Sequence, residues 1–278
     1  MQHTDHKKNK EKNTWAKPKK SLGQNFLKSQ SALHDMVTSG NINSKECVLE
    51  IGPGRGALTE KLLETGAHVI AIEKDHELIP ILSEKFKKEI TAKQFKLIEG
   101  DALEFNFESH KLKTKTYKLI ANIPYYITGA IIRKFLSEIK TQPQAIVLLV
   151  QKEVALRIVT RDAKESLLSL SVKAYGTPKF ITKVPARYFS PAPKVDSAII
   201  AITDISKKNF SKNSEASFFK LIHAGFSHKR KVLARNLEAF CADKTKISHA
   251  FSTLGLKNTV RAEEVPLEKW FALLSQLI

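Results

Sequence analysis

Apolar residues in the first two-thirds of the chain fall into short runs, and the stretches between them repeat at helical spacing. Residues 47–49, 69–73, 95–98, 117–121 and 145–150 have the length and composition of buried strands. Residues 31–37, 58–63, 77–88 and 128–139 place apolar side chains three and four apart, the spacing of one helix face. Strands that alternate with helices predict an α/β domain built on a parallel sheet. After the fifth strand, 152–159 and 166–174 read as helices, and 180–184 and 197–203 as strands. Residues 204–216 are polar. Beyond them Phe218, Leu221, Ile222 and Phe226 recur at helical spacing, followed by residues 232–240, 247–254 and 266–277. The expected division is a tail over 1–20, an α/β domain over 21–205 and a small helical domain over 206–278.

The charge pattern adds a partner. The formal net charge is +18, from 46 Lys and Arg against 28 Asp and Glu. Solubility needs far less, so the excess points to nucleic acid first and an acidic membrane surface second. Residues 1–20 hold seven lysines and two acids and read as a disordered basic arm. His228-Lys229-Arg230-Lys231, with Arg235 one turn on, puts a second basic cluster between two predicted helices, where it suits a phosphate backbone. No apolar run reaches the length of a membrane span, and the first residues lack the apolar core of a signal peptide. Two distant cysteines, Cys47 and Cys241, make neither a disulfide framework nor a zinc pattern. A reducing cytoplasm, no metal and no membrane are the expectations.

The candidate chemistry sits where predicted strands end. Glu50-Ile51-Gly52-Pro53-Gly54-Arg55-Gly56-Ala57 joins the first strand to a helix, and Glu73 ends the second. Gly52-x-Gly54-x-x-Ala57 with an acid about 20 residues on fits an adenosine-containing cofactor, either a nicotinamide dinucleotide or S-adenosylmethionine. Pro53 removes an N–H that a phosphate cradle would use, and a charged Glu50 would repel a pyrophosphate, so both lean to S-adenosylmethionine. Gly52, Glu73, Asp101 and Asn122 mark four successive strand ends, the side of such sheets where ligands bind. Lys19 to Leu27, broken by Gly23, reads as a loop able to close over a cofactor.

Asn122-Ile123-Pro124-Tyr125, at the end of the fourth strand, is the most specific stretch. The exocyclic amine of adenine is a poor nucleophile because its lone pair is delocalised into the ring. Two acceptors aimed at its hydrogens favour a pyramidal nitrogen. The Asn122 side-chain oxygen can be one, and the carbonyl of Ile123 or Pro124 the other. Tyr125 can stack on the base, with Phe189 a candidate for its opposite face. Displacement at a sulfonium needs no metal.

Taken with Gln24-Asn25-Phe26-Leu27, Gly100-Asp101-Ala102, Gln151-Lys152-Glu153-Val154 and Ser190-Pro191-Ala192-Pro193-Lys194-Val195-Asp196-Ser197, these motifs resemble the ribosomal RNA adenine dimethyltransferase family, in particular its bacterial small-subunit branch. The matches run in order from about Lys19 to about Leu237. Ala192, where the family usually has a proline, and His228-Lys229-Arg230-Lys231, where a Gln-Arg-Arg-Lys is more typical, are departures from its pattern. The resemblance implies a Rossmann-like S-adenosylmethionine-dependent methyltransferase domain with a C-terminal all-helical domain. It implies dimethylation at N6 of two adjacent adenosines in a hairpin loop near the 3′ end of 16S rRNA, a monomer acting on the 30S particle, and a part in ribosome biogenesis. By motif position, Asn25, Leu27, Gly52, Glu73, Asp101 and Asn122 would contact S-adenosylmethionine, with Glu73 on the ribose and Asp101 on the adenine amine. Asn122 and Tyr125 would hold the target base, and Phe189 would stack on it.

Four other functions fit parts of the pattern. A macrolide-resistance methyltransferase of large-subunit RNA shares the fold, but the 194–197 stretch and the 226–237 region favour the small-subunit branch. A DNA adenine methyltransferase would usually carry a proline at Ile123. A non-catalytic nucleic-acid-binding protein would not need the Asn122 to Tyr125 turn. A nicotinamide oxidoreductase would leave both that turn and the net charge without a role.

Overall fold

Val48 and Leu49, Ile120 and Leu119, and Val147 and Leu148 point alternately to two separate apolar clusters, as neighbours in a strand must. The computed structural model describes residues 17–107, 112–159, 164–210 and 214–278. Its strands are β1 (Phe26–Leu27), β2 (Cys47–Ile51), β3 (His68–Glu73), β4 (Phe95–Glu99), β5 (Tyr117–Asn122), β6 (Ile146–Gln151), β7 (Thr177–Val184), β8 (Phe189–Ser190) and β9 (Ser197–Thr203). The main sheet has seven strands in the order β4-β3-β2-β5-β6-β9-β7. The first five of these run parallel, and β9 is antiparallel to both β6 and β7. Strand order reverses between β2 and β5, which places a crevice at their carboxyl ends.

The helices of the α/β part are α1 (Gln30–Ser39), α2 (Ala57–Glu64), α3 (Leu78–Lys85), α4 (Lys87–Thr91), α5 (Thr128–Arg133), α6 (Lys152–Val159) and α7 (Leu167–Lys173). They are followed by α8 (Ser214–Gly225), α9 (Leu233–Leu237), α10 (Lys244–Thr253) and α11 (Leu267–Leu277). One face of the sheet is covered by residues such as Met36, Leu62 and Leu82 of α1, α2 and α3. The cluster on the other face contains Phe135 and Leu170 and runs on into Phe218 of α8 and Trp270 of α11. The C-terminal helices therefore share an apolar core with the α/β part. Both faces of the parallel strands are buried, which is why these strands read as unbroken apolar runs.

Several expected elements changed shape. The helix expected over 77–88 breaks at Phe86, whose φ of −108° and ψ of 26° leave the helical region. Its ring packs edge-on to Phe95 at 5.2 Å. The helix expected over 128–139 passes from α5 into a π turn, Lys134–Glu138. The strand expected from Phe180 starts at Thr177, with an irregular register between Phe180 and Thr182. The stretch 226–232 is a loop between α8 and α9, so the basic cluster at 228–231 lies between two helices as expected. The antiparallel pair β1–β8 was not expected at all. Most of the basic arm, residues 1–16 with Trp15, lies outside the described residues; Lys19 and Lys20 lie within them.

Candidate active site

The turn after β2 takes three residues through the left-handed region, Gly52 at φ 67°, Gly54 at 58° and Gly56 at 74°. Only glycine adopts this conformation cheaply. A side chain on Gly56 would strike the Phe86 ring, and one on Gly54 the Phe26 ring. A side chain on Gly52 would meet nothing within 4 Å. That open space belongs to a cavity of about 470 Å³, within the usual size of small-ligand sites. Asn25, Leu27, Glu73, Asp101, Asn122 and Tyr125 all line it. Four elements thus deliver six expected residues to one cavity at the predicted strand ends.

Each polar wall residue is held. The Glu73 carboxylate accepts N–H bonds from Gly54 at 3.0 Å and Asp75 at 2.8 Å, and burial still pushes its pKa up. Asp101 accepts from the Leu103 N–H at 2.8 Å and pairs with Lys74 at 2.7 Å. Burial alone would raise its pKa, but the Lys74 ammonium and the backbone donor outweigh it and hold Asp101 below the usual carboxylate range. The Asn122 amide NH2 donates to the Asn25 carbonyl at 3.4 Å, a bond that leaves Oδ1 uncommitted to it.

Glu50 corrects one sequence argument. It is buried, and Thr59 Oγ1 donates to its carboxylate at 2.7 Å. Burial, reinforced by nearby Glu73, pushes its pKa up to about 8. The carboxyl is therefore mostly protonated at neutral pH and does not act as the fixed negative charge that was held against a pyrophosphate. Pro53 and the rest of the site carry that choice instead.

The segment expected to be a loop over the cavity is a fastened strap. Lys19 Nζ bonds Asp75 Oδ1 at 2.6 Å and Gln24 Nε2 bonds Asp75 Oδ2 at 2.7 Å. At its far end β1 pairs with β8 in the register Phe26 to Ser190 and Leu27 to Phe189. This pairing relocates one expected residue. Side chains alternate along a strand, and β8 sends Ser190 to the cavity while Phe189 turns into the apolar cluster at 2% exposure. Phe189 therefore does not line the cavity in this structure, and no base can stack on it in this conformation.

The turn Asn122 to Tyr125 runs straight into a 3-10 turn, Tyr125–Ile127. The Pro124 carbonyl already accepts the Ile127 N–H at 3.2 Å. The Tyr125 hydroxyl meets the Ser197 hydroxyl at 2.6 Å. Asp75 was missed by sequence reading, and Ser197 was read only as the last residue of the 190–197 motif, since nothing local marks an acid or serine as the fastener of a distant segment. The basic cluster at 228–231 is exposed on the loop between α8 and α9. The Asn236 amide pins that loop by donating to the carbonyls of Gly225 at 2.6 Å and His228 at 3.1 Å. Among the described residues no group of three or more His, Cys, Asp or Glu could hold a metal, and no helix is long and apolar enough to cross a membrane.

The chain is similar to several known proteins. A family model described as ribosomal RNA adenine dimethylase matches residues 15–278. A ribosomal RNA small subunit methyltransferase A from Dehalococcoides mccartyi strain CBDB1 is 42% identical over 255 residues, 91% of this chain and 86% of that protein. The crystal structure of a dimethyladenosine transferase from Plasmodium falciparum superimposes with a TM-score of 0.76 at 26% identity, covering 89% of this chain and 95% of that one. The 23S rRNA methyltransferase ErmE superimposes equally well, with a TM-score of 0.76 over 91% of this chain and 99% of its own, but at 23% identity it speaks to the fold alone.

Proposed function

The chain belongs to the ribosomal RNA adenine dimethylase family, and from that premise we propose that it transfers methyl groups from S-adenosylmethionine to N6 of adenosines in small-subunit rRNA. It is a methyltransferase of a Rossmann-like fold with a ribosomal RNA substrate. The observation that carries the finer reading is the convergence of the Gly52 turn, Glu73, Asp101 and the Asn122 to Tyr125 turn on one cavity.

The residues present fit S-adenosylmethionine. The open space over Gly52 admits a ligand against the backbone. Glu73, held by two N–H groups, keeps lone pairs for ribose hydroxyls. Asp101, held ionised by Lys74, can accept from an adenine amine. A bound cofactor supplies an electrophilic methyl on a positive sulfur. The protein supplies the nucleophile's geometry. We assign Asn122 Oδ1 and the Ile123 carbonyl as the two acceptors for the N6 hydrogens, because the Pro124 carbonyl already has a donor. Held this way, N6 would present its freed lone pair to the methyl that a bound S-adenosylmethionine would supply, and water would take the proton that N6 gives up. Tyr125, fixed by Ser197, stacks on the base. Phe189 reaches the opposite face only by swinging out of the core beside Ser190. The same residues serve twice on one nitrogen, since a monomethylated N6 still has one hydrogen to aim.

The strap 19–27 closes the cofactor cavity, and the exposed 228–231 cluster grips phosphates. The C-terminal helices carry the RNA-gripping cluster while sharing an apolar core with the α/β part. The test is Asn122→Ala. It should still bind undermethylated small subunits while losing methyl transfer by at least about 10². Turnover near the wild-type rate would remove Asn122 from the mechanism.

A further inference from the structure

A second concavity of about 1020 Å³ opens between α5, the π turn that follows it, α7 and α8. Its lining includes the apolar residues Ile132, Leu136, Leu167, Leu168 and Phe219, and the cationic side chains Arg133 and Arg157. Leu167, Leu168 and Phe219 are only partly buried. Arg133 pairs with Glu138 at 2.8 Å and Arg157 approaches Glu153 at 3.9 Å, yet the two arginine side chains stay 72% and 55% exposed. The one carboxylate in the lining, Glu215, is already engaged by the Tyr175 hydroxyl at 2.6 Å and Lys207 at 3.1 Å. The groove is thus apolar in its floor, with cations that exposed pairing does not use up.

The groove is continuous with the catalytic turn. The 3-10 turn Tyr125–Ile127 leads directly into α5. Tyr126, Gly129 and Arg133 are therefore spaced three and four apart on one face, and all three are exposed. Tyr126 lines the cofactor cavity, while Gly129 and Arg133 line the groove. An RNA strand whose target base enters beside Tyr125 meets this face next.

We propose that the groove is a subsite for a nucleotide of single-stranded RNA flanking the target adenosine, its base lying on Phe219 and Leu168 and its phosphate facing Arg157 or Arg133. This deepens the rRNA reading above and rests on it. Unpaired bases are held by stacking on aromatic and apolar surfaces, and arginine is the side chain suited to the phosphate beside them. A net charge of +18 favours a polyanion here over a neutral ligand.

Two variants test it. Ala216→Trp fills the groove from an exposed position, and Arg157→Glu reverses a rim charge. Affinity for a naked hairpin RNA, KM for undermethylated small subunits, S-adenosylmethionine affinity and Tm would be measured for each. Both variants should weaken hairpin binding and raise KM by about tenfold. Arg157→Glu should also lower the slope of log K against log salt by about 1. Cofactor affinity, Tm and kcat at saturation should stay put. Unchanged RNA affinity in both variants would overturn the subsite. So would a loss seen with assembled subunits but not with hairpin RNA, which would make the groove a contact for ribosomal protein. If wild-type protein methylated no RNA while still binding the cofactor, the rRNA reading would fall, an outcome separate from either of these.

Discussion

The hydroxyls of Tyr125 and Ser197 lie 2.6 Å apart although 72 residues separate them in the chain. The contact crosses from the turn after β5 to the first residue of β9, which is two strands away in the sheet. It fixes the ring that is assigned to the target base. Ser197→Ala should cost about 1 kcal/mol of transition-state stabilisation, roughly five-fold in kcat, with cofactor affinity unchanged. Tyr125→Ala should cost about 10² or more, because it removes the platform as well as its anchor. Single-turnover methylation of undermethylated subunits measures both. A wild-type kcat in Ser197→Ala would contradict the anchoring role.

Gly52→Ala separates fold from ligand. The left-handed φ of 67° makes alanine strained by about 1–2 kcal/mol. The added methyl meets no protein atom and projects into the cavity. A small drop in Tm should accompany a much larger loss of S-adenosylmethionine affinity, read by calorimetry. A loss of stability with normal cofactor affinity would move the ligand away from this turn.

Glu50 gives a pH signature with a definite sign. Its folded pKa of about 8 lies above the ordinary 4.5. Between those values the folded chain holds a proton that the unfolded chain has released, so this group lowers stability as pH rises through the window. Glu50→Gln keeps the polar shape and cannot ionise. The Tm difference between Glu50→Gln and wild type should shift in favour of the variant from about pH 5 to about pH 8. A difference that stayed flat over that range would show that Glu50 ionises normally.

Phe189→Leu tests whether a buried ring also serves the base. Leucine keeps most of the apolar volume in the cluster, so stability should fall by less than about 1.5 kcal/mol. If Phe189 swings out to stack, kcat/KM for RNA should drop by about tenfold. Wild-type kinetics would leave Phe189 as a packing residue beneath the strap.

The parts of this site that were readable in the sequence are local ones. Gly52, Glu73, Asp101 and Asn122 each follow an apolar run, and a parallel sheet brings the ends of such runs to one edge whatever the strand order. The parts that were not readable depend on partners far along the chain. Asp75 fastens Lys19 and Gln24 across more than 50 residues, and two-residue strands such as β1 and β8 carry no period to detect. Phe189 shows the limit most sharply. Its motif marks it for the site, but a one-residue alternation in β8 decides whether it faces ligand or core. Glu50 shows it for charge, since only burial reveals that the carboxyl keeps its proton. The break at Phe86 likewise follows from a ring that packs against Phe95, a contact that helical spacing over 77–88 does not encode.

The most direct test of the account is labelled methyl transfer from S-adenosylmethionine to undermethylated small subunits, large-subunit RNA and duplex DNA side by side, with the product mapped by nuclease digestion. The account predicts label in small-subunit RNA alone, recovered as N6,N6-dimethyladenosine. Label in large-subunit RNA or DNA, or none anywhere while the cofactor binds, would contradict it.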